Sequence, residues 1–257
     1  MSNHDEADRL SKMLFEFASD RRVGILFEVE KKNLKMQQIA KALDMNVTET
    51  FRHLQRLSDA QLIEKRVDGT YAITTLGALS IGLLNNLDFI FEHSNYFLEH
   101  DFSCLPYEFV NRLGELSRGE FCGDTLTTLN RVRDMVFDAE EYIWTISEQS
   151  ESSHVQVANE KVSKGLQFRF IMQKNLAKTI KIVPEVEHLK ERKWLERTCV
   201  TLLITKKESV VHFRRHSGEM HYVGFFGKDE RFRKWTRDLF MYYWDRAEPW
   251  HPKIRIP

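Results

Sequence analysis

Residues 36–76 read MQQIAKALDMNVTETFRHLQRLSDAQLIEKRVDGTYAITTL, and the order of elements they imply decides the fold. Residues 37–43 (QQIAKAL) set Ile39, Ala40 and Leu43 at helical spacing, and Asp44-Met45-Asn46 then supplies a turn before a second helix. Asn46 is a good N-cap, with Glu49 three residues on at the spacing of a capping box. In that second helix Val47, Phe51, Leu54 and Leu57 are expected on the packed side. Glu49, Arg52 and Arg56 point roughly opposite, flanked by Thr48 and His53. Residues 62–67 and 70–74 follow as two strand-like pieces around Asp68-Gly69, a pair that tolerates the positive φ of a tight hairpin. Helix, turn, helix, hairpin is the order of a winged helix-turn-helix, which offers one helix face to the major groove of duplex DNA.

Residues 48–77, TETFRHLQRLSDAQLIEKRVDGTYAITTLG, resemble the recognition helix and wing of arsenical-repressor-like prokaryotic regulators, with their HLxxLxxAGL core; Gln61 stands where that pattern has glycine. With the preceding helix and turn included, the resemblance spans some forty residues and implies a fold more than a base sequence. On such a helix Arg52 and Arg56 can grip guanine O6 and N7 bidentately, Thr48 and His53 can reach phosphates or bases, and Glu49 can accept from cytosine N4. Lys65 and Arg66 in the hairpin are expected phosphate contacts. The rival reading of these arginines is plain solvation of an exposed helix.

The chain has 257 residues, 42% of them hydrophobic, which predicts two domains with a core each. Formal charge is zero, and residues 1–95 hold 12 Lys or Arg against 14 Asp or Glu, so DNA affinity must come from a local patch or a dimer's paired surfaces. Cys104, Cys122 and Cys199 stand far apart in sequence, with no C-x-x-C pair to hold a metal. Metal-sensing members of the resembled group place a cysteine pair in the DNA-binding domain, where none of the three lies. No thiolate metal sensor is therefore expected; nor is a zinc site, since no Asp or Glu partners stand at metal-ligand spacing among His212, His216 and His221, and no cofactor is expected. The polar start MSNHDEADRL is unlike a signal peptide, and no run of 18 apolar residues is present, so the expectation is a cytoplasmic protein with no membrane partner.

Leu10, Met13, Leu14 and Phe17 predict an amphipathic first helix, and residues 22–30 a second helix buried through Val23, Leu26 and Val29. Residues 75–100 read as one long helix in which Leu83, Leu87, Ile90 and Phe97 form one apolar stripe and Leu84, Phe91 and Leu98 a second beside it. So wide a face predicts a homodimer; the alternative is burial wholly within one chain. Residues 101–123, with Pro106, Gly114, Gly119 and Gly123, read as a domain junction containing a short helix over 107–116. The expected organisation is an N-terminal winged helix at 1–76, a linking helix at 77–100 and a C-terminal α/β domain at 101–257, α+β overall. In the last of these a helix at 124–140, a strand at 142–147, a helix at 154–164 and a strand at 166–172 predict a parallel pair with a crossover. Strands at 199–205, 209–214 and 221–226 and a helix at 229–247 follow.

The stretches DAEEYIWTISE (138–148), KGLQFRFIMQ (164–173), TCVTLLITKKESVVHF (198–213) and KWTRDLFMYYWDRAEPW (234–250) are similar to the sensor domain of archaeal winged-helix regulators of the methanogenesis-regulatory type. That resemblance implies a phospholipase D-like fold, as in the TrmB sugar-sensing regulators, and regulation of metabolic genes. Phospholipase D chemistry needs H-x-K-x4-D, a histidine nucleophile beside a cationic phosphate clamp. Here His188-Leu189-Lys190 begins the pattern and Leu195 stands where the aspartate belongs, so no enzyme is expected. His212, Arg214 and His216 alternate along a strand end with His221 close behind. They are a candidate anion pocket for a small ligand, weighed against the blander reading of a solvated strand rim. Trp235, Leu239, Tyr242, Tyr243 and Trp244 recur at helical spacing; Phe232, Trp235, Leu239 and Tyr243 are expected to cover the sheet, with Trp250 closing its edge.

Together these readings predict a dimeric, sequence-specific DNA-binding regulator whose C-terminal domain senses a small ligand or mediates assembly. Its two recognition helices would enter grooves roughly 34 Å apart on a near-palindromic operator. Two rivals stand beside it: a winged-helix protein-interaction module without specific DNA binding, and a degenerate phosphodiesterase using His188 or His221.

Overall fold

The computed structural model describes residues 3–147, 152–173 and 191–249. The chain divides into two compact units, Met1–Asn85 and Asn86–Pro257. His188 and Trp250 lie outside the described residues.

In the first unit α1 (Asn3–Phe17), α2 (Asp20–Lys31), α3 (Met36–Ala42) and α4 (Val47–Asp59) precede a hairpin of β2 (Ile63–Lys65) and β3 (Thr70–Ile73). Local chemistry sets each boundary. Asp44 takes a left-handed φ of 49° in the turn between α3 and α4, a conformation that a short polar side chain tolerates. Asn46 caps α4, its side-chain oxygen accepting from Glu49 N at 2.8 Å. In the hairpin turn Gly69 has φ 79°, Arg66 N donates to Thr70 O (2.8 Å), and Asp68 Oδ1 accepts from Thr70 N (2.9 Å) and Oγ1 (2.6 Å). Ile25, Leu26, Ile39, Leu54, Leu57, Leu62 and Ile63 form the core with Leu34 and Tyr71.

Three expectations for this unit are corrected. A third strand, β1 (Leu34–Lys35), pairs antiparallel with β3, and the sheet order is β1-β3-β2. On α4 the buried residues are Thr50, Leu54 and Leu57, whereas Val47 and Phe51 are 56% and 53% exposed. Thr50 and Leu57 lie about 40° and 60° to one side of Leu54 and Phe51 about 60° to the other, which turns Phe51 away from the core; Val47 sits in the first turn and does not reach it, whereas Thr50 does, its hydroxyl closed on Asn46 O at 2.8 Å. On α1, Leu10, Met13 and Leu14 are exposed, and Phe17 packs against the core.

The linking segment also departs from its reading. Helix α5 (Thr75–Glu92) stops at His93, and α6 (Ser94–Glu99) starts afresh. Ile90 and Phe97 pack against the core of the second unit, leaving Leu83 and Leu87 of the expected stripe exposed. Residues 101–123 carry more structure than a junction. The predicted helix splits into α7 (Tyr107–Val110) and a 3-10 turn (Leu113–Arg118), which bury Phe109, Leu113 and Leu116, and β4 (Glu120–Cys122) joins the main sheet.

That sheet has eight strands in the order β11-β7-β6-β5-β8-β9-β10-β4. β5 (Tyr142–Ile146) and β6 (Gln167–Gln173) are parallel and joined through α9 (Ser152–Ser163), and β7 (Glu191–Leu195) continues the parallel run. On the other side of β5, β8 (Val200–Ile204), β9 (Ser209–Arg214), β10 (Met220–Gly227) and β4 are antiparallel, and β11 (Glu248–Pro249) closes the far edge. Both faces are covered. Leu202 and Ile204 join Phe232, Trp235, Leu239 and Tyr243 of α10 (Glu230–Arg246), whereas Leu203 and Val210 join Met135 and Val136 of α8 (Thr125–Phe137). The period-two split along β8 is what a sheet buried on both sides requires.

Candidate functional site

The outer face of α4 and the hairpin turn present different states of the predicted DNA contacts. Thr48 and Arg52 are exposed, and Glu49 and His53 are half-buried with Glu49 Oε1 at 3.8 Å from His53 Nε2. Lys65 and Arg66 are exposed at the turn; the Lys65 ammonium stands 5.9 Å over the Tyr71 ring, and Arg66 Nε lies 3.9 Å from Glu64. Arg56 is already engaged inside the unit. Its Nε and Nη2 donate to the Glu16 carboxylate at 2.8 Å, and its guanidinium lies 4.5 Å from the Phe15 ring. Arg22 clasps the same turn, donating from Nε to Glu16 O at 2.8 Å. The hydrogen bond from Arg56 holds the Glu16 carboxyl below its ordinary range, against a smaller opposing effect of burial. No sequence signal announces this pair, which spans forty residues.

The four predicted ligand residues of the second unit divide into separate settings. His212 is buried on β9, with Nδ1 3.2 Å from Thr201 Oγ1 and Nε2 lacking any hydrogen-bond partner. Burial depresses its pKa to about 3, so the ring is neutral. The Tyr222 hydroxyl is buried and also lacks a partner, its ring centroid 6.0 Å from that of His212; burial raises its pKa. Arg214 donates from Nε to Thr198 O and from Nη1 to Gly218 O, both at 3.0 Å. His216 lies beyond the end of β9 in an exposed turn, so the alternation expected through it stops at Arg214.

His221 instead meets His100, a residue that sequence reasoning missed. Their Nδ1 and Nε2 atoms are 3.0 Å apart, and His100 Nδ1 lies 2.6 Å from Tyr96 O. Arg215 Nη2 is 3.2 Å from His221 Nε2, and Glu99 joins the group within 3.8 Å of Arg215. Desolvation lowers the pKa of both imidazoles. Cys104 and Cys199, remote in sequence, also converge: a hydrogen bond between the thiols lowers Cys104 and raises Cys199, which burial raises further.

The family profile for bacterial regulatory proteins of the arsR family matches residues 19–65, from the start of α2 into the wing. No curated protein matches the chain. Among solved structures the chain is similar to TrmBL2, an archaeal chromatin protein whose structure shows a novel mode of DNA binding. That likeness has 14% identity and a TM-score of 0.44 over 95% of this chain and 99% of the other. It is also similar to CalO1, a methyltransferase in calicheamicin biosynthesis, at 13% identity and a TM-score of 0.24 over 77% of this chain and 67% of that one. The profile match over residues 19–65 is to a helix-turn-helix domain, the kind that DNA-binding transcription regulators use. Among the described residues no helix is long and apolar enough to cross a membrane.

Proposed function

We propose that the protein is a dimeric, sequence-specific transcriptional regulator acting in the cytoplasm, with a C-terminal unit of the phospholipase D-like kind that senses a small, anionic ligand and has no catalytic motif. The observation that carries the reading is the pairing, in one arsR-type domain, of Thr48 and Arg52 exposed on α4 with Lys65 and Arg66 exposed on the wing. Arg52 reads a base edge, and the wing cations hold phosphates. Dimerisation is supported by a row of exposed apolar side chains along α5, Leu76, Leu79, Leu83, Leu87 and Phe91, each between 46% and 74% exposed. Their spacing places them along one side of the helix. Ligand sensing is supported by the buried, unpartnered His212 Nε2 and Tyr222 hydroxyl near Arg214.

A protein-interaction module is the second reading. It is favoured by the exposure of Val47 and Phe51 on α4 and by the engagement of Arg56 with Glu16. Fluorescence anisotropy against the protein's own upstream DNA and a shuffled duplex, across a salt series, separates the two. The expected result is a preference of about 10³ or more for the upstream duplex. Arg52→Ala should cost about tenfold or more of that preference. A Lys65→Ala/Arg66→Ala double variant should weaken both duplexes alike and lower the salt slope by about 2. Equal binding to both duplexes by the unaltered protein would favour the interaction module.

A further inference from the structure

We propose that Glu99, His100 and His221 bind one divalent transition-metal ion of the zinc class. One carboxylate oxygen and two imidazole nitrogens lie within 4.8 Å of one another, at the junction of α6 with the β9–β10 hairpin. Histidine and carboxylate in this combination suit zinc and its neighbours, and three protein ligands leave a coordination position open.

The placement of Glu99 and His100 is fixed by backbone rather than by their own side chains, and His221 lies where β10 shifts register between Met220 and Gly224. Asp101 N donates to Arg214 O (2.8 Å), His216 N donates to Glu99 O (3.2 Å), and His100 pairs as a β-bridge with Arg215. Tyr96, one turn before His100, pins α6 from the other side: its hydroxyl donates to Val223 O and accepts from Phe213 N, both at 3.1 Å. The backbone of Glu99 and His100 is thus held in position before any ion arrives.

The tautomers agree with ligation. A carbonyl oxygen can only accept, so His100 Nδ1 carries the proton that Tyr96 O receives, and Nε2 faces His221 with its lone pair free. A second imidazole nitrogen hydrogen-bonded to a backbone carbonyl is the usual outer support of a metal-bound histidine. In the structure the contact is satisfied by His221 Nδ1–H donating to His100 Nε2, and by Arg215 donating to His221 Nε2. On binding, the His221 proton moves from Nδ1 to Nε2, and Arg215 turns from that nitrogen toward the Glu99 oxygen left off the metal. Two nitrogens on one tetrahedral zinc stand about 3.3 Å apart, given Zn–N bonds of about 2.0–2.1 Å. The present His–His separation is 3.0 Å, so a few tenths of an ångström and a pivot of the half-exposed His221 ring set the two nitrogens, and a turn of the exposed Glu99 side chain, which starts within 4.8 Å, brings in the third ligand.

The test is calorimetric titration of the chelator-treated full chain with zinc chloride, repeated with cobalt(II) followed by its absorption spectrum. One ion per chain is expected, with a four- or five-coordinate cobalt spectrum. Glu99→Gln should weaken binding by at least about tenfold, the least that even an outer-shell change costs a metal site. His221→Ala should abolish the cobalt signal, and Cys104→Ser should leave it unchanged. Glu99 is exposed, so its variant stays informative should His221→Ala fail to fold. No binding by the unaltered chain, or binding that survives both Glu99→Gln and His221→Ala, overturns the site and leaves a hydrogen-bonded relay. Loss of binding in Cys104→Ser overturns it in favour of the thiols.

Discussion

Gln61 ends α4 in a left-handed conformation, φ 58°, inside a double hydrogen-bonded cap in which Leu62 N donates to Leu57 O (3.0 Å) and Gln61 N to Ser58 O (2.9 Å). An L side chain there costs about 1–2 kcal/mol, and glycine would remove that strain while losing part of the gain to its freer unfolded chain. Gln61→Gly should therefore stabilise the first unit by about 0.5–1 kcal/mol, read as a higher denaturant midpoint with unchanged m; a lower midpoint would refute the strain. Arg56 makes the opposite lesson. Its helix position advertised a base contact, but Glu16 and Phe15 on α1 hold it, and forty residues of separation hide that from any local pattern. The Glu16 pKa is depressed in the folded chain, so the pair adds stability above the unfolded carboxyl's pKa and loses it as pH falls toward the folded value. Glu16→Gln should accordingly be less stable than the unaltered protein near pH 7, with the gap closing on acidification below about pH 4.5, near the unfolded Glu pKa. A gap independent of pH would mean the carboxylate charge contributes nothing.

At the scale of elements, α5 approaches the hairpin so closely that a Cβ on Gly77 would lie 2.2 Å from Leu62 O and 2.9 Å from Ile73 Cγ1. The neighbour is backbone and cannot rotate aside, so Gly77→Ala should destabilise the first unit by about 1–3 kcal/mol in chemical denaturation. No loss would mean the helix can slide on the wing. The same local density explains which elements were legible. Helices α3, α4 and α10, the hairpin and the β5-α9-β6 crossover each carry several periods of hydrophobic pattern or a capping or turn residue, and all form close to where the sequence puts them. The strands β1 and β4, of two and three residues, carry no period to read, and both exist because a partner strand holds them. The inner face of α4 shows the limit of periodicity: angle gathers Val47, Thr50, Leu54 and Leu57 on one side, and only the rest of the fold decides that Thr50 is buried while Val47 stays exposed.

Over the whole molecule the balance of charge is uninformative: equal numbers of Lys or Arg and of Asp or Glu leave no general field to draw in DNA, so affinity falls to exposed cations at chosen points and to their duplication. The candidate sites follow the same logic. That Thr48, Arg52, Lys65 and Arg66 lie exposed on one helix and its hairpin was legible because one module orders them in sequence, whereas His100 and His221, 121 residues apart, meet only through the return of β10 past α6. The exposed row on α5 is where duplication would arise. Five large apolar side chains on one stripe are costly to leave in water, and a second copy burying the same row satisfies both chains by a two-fold contact. Light scattering should then give about twice the chain mass of 30.5 kDa. Leu83→Glu, which sets a carboxylate in the middle of the stripe without touching either core, should yield the single-chain mass with an unchanged circular dichroism spectrum. Because two half-sites held together bind far more tightly than either alone, the monomeric variant should also lose most of its affinity for a near-palindromic duplex while keeping that for one half-site. A dimer that survives Leu83→Glu would move the interface off α5; a monomer that still binds the full duplex as tightly would remove the need for paired recognition helices altogether.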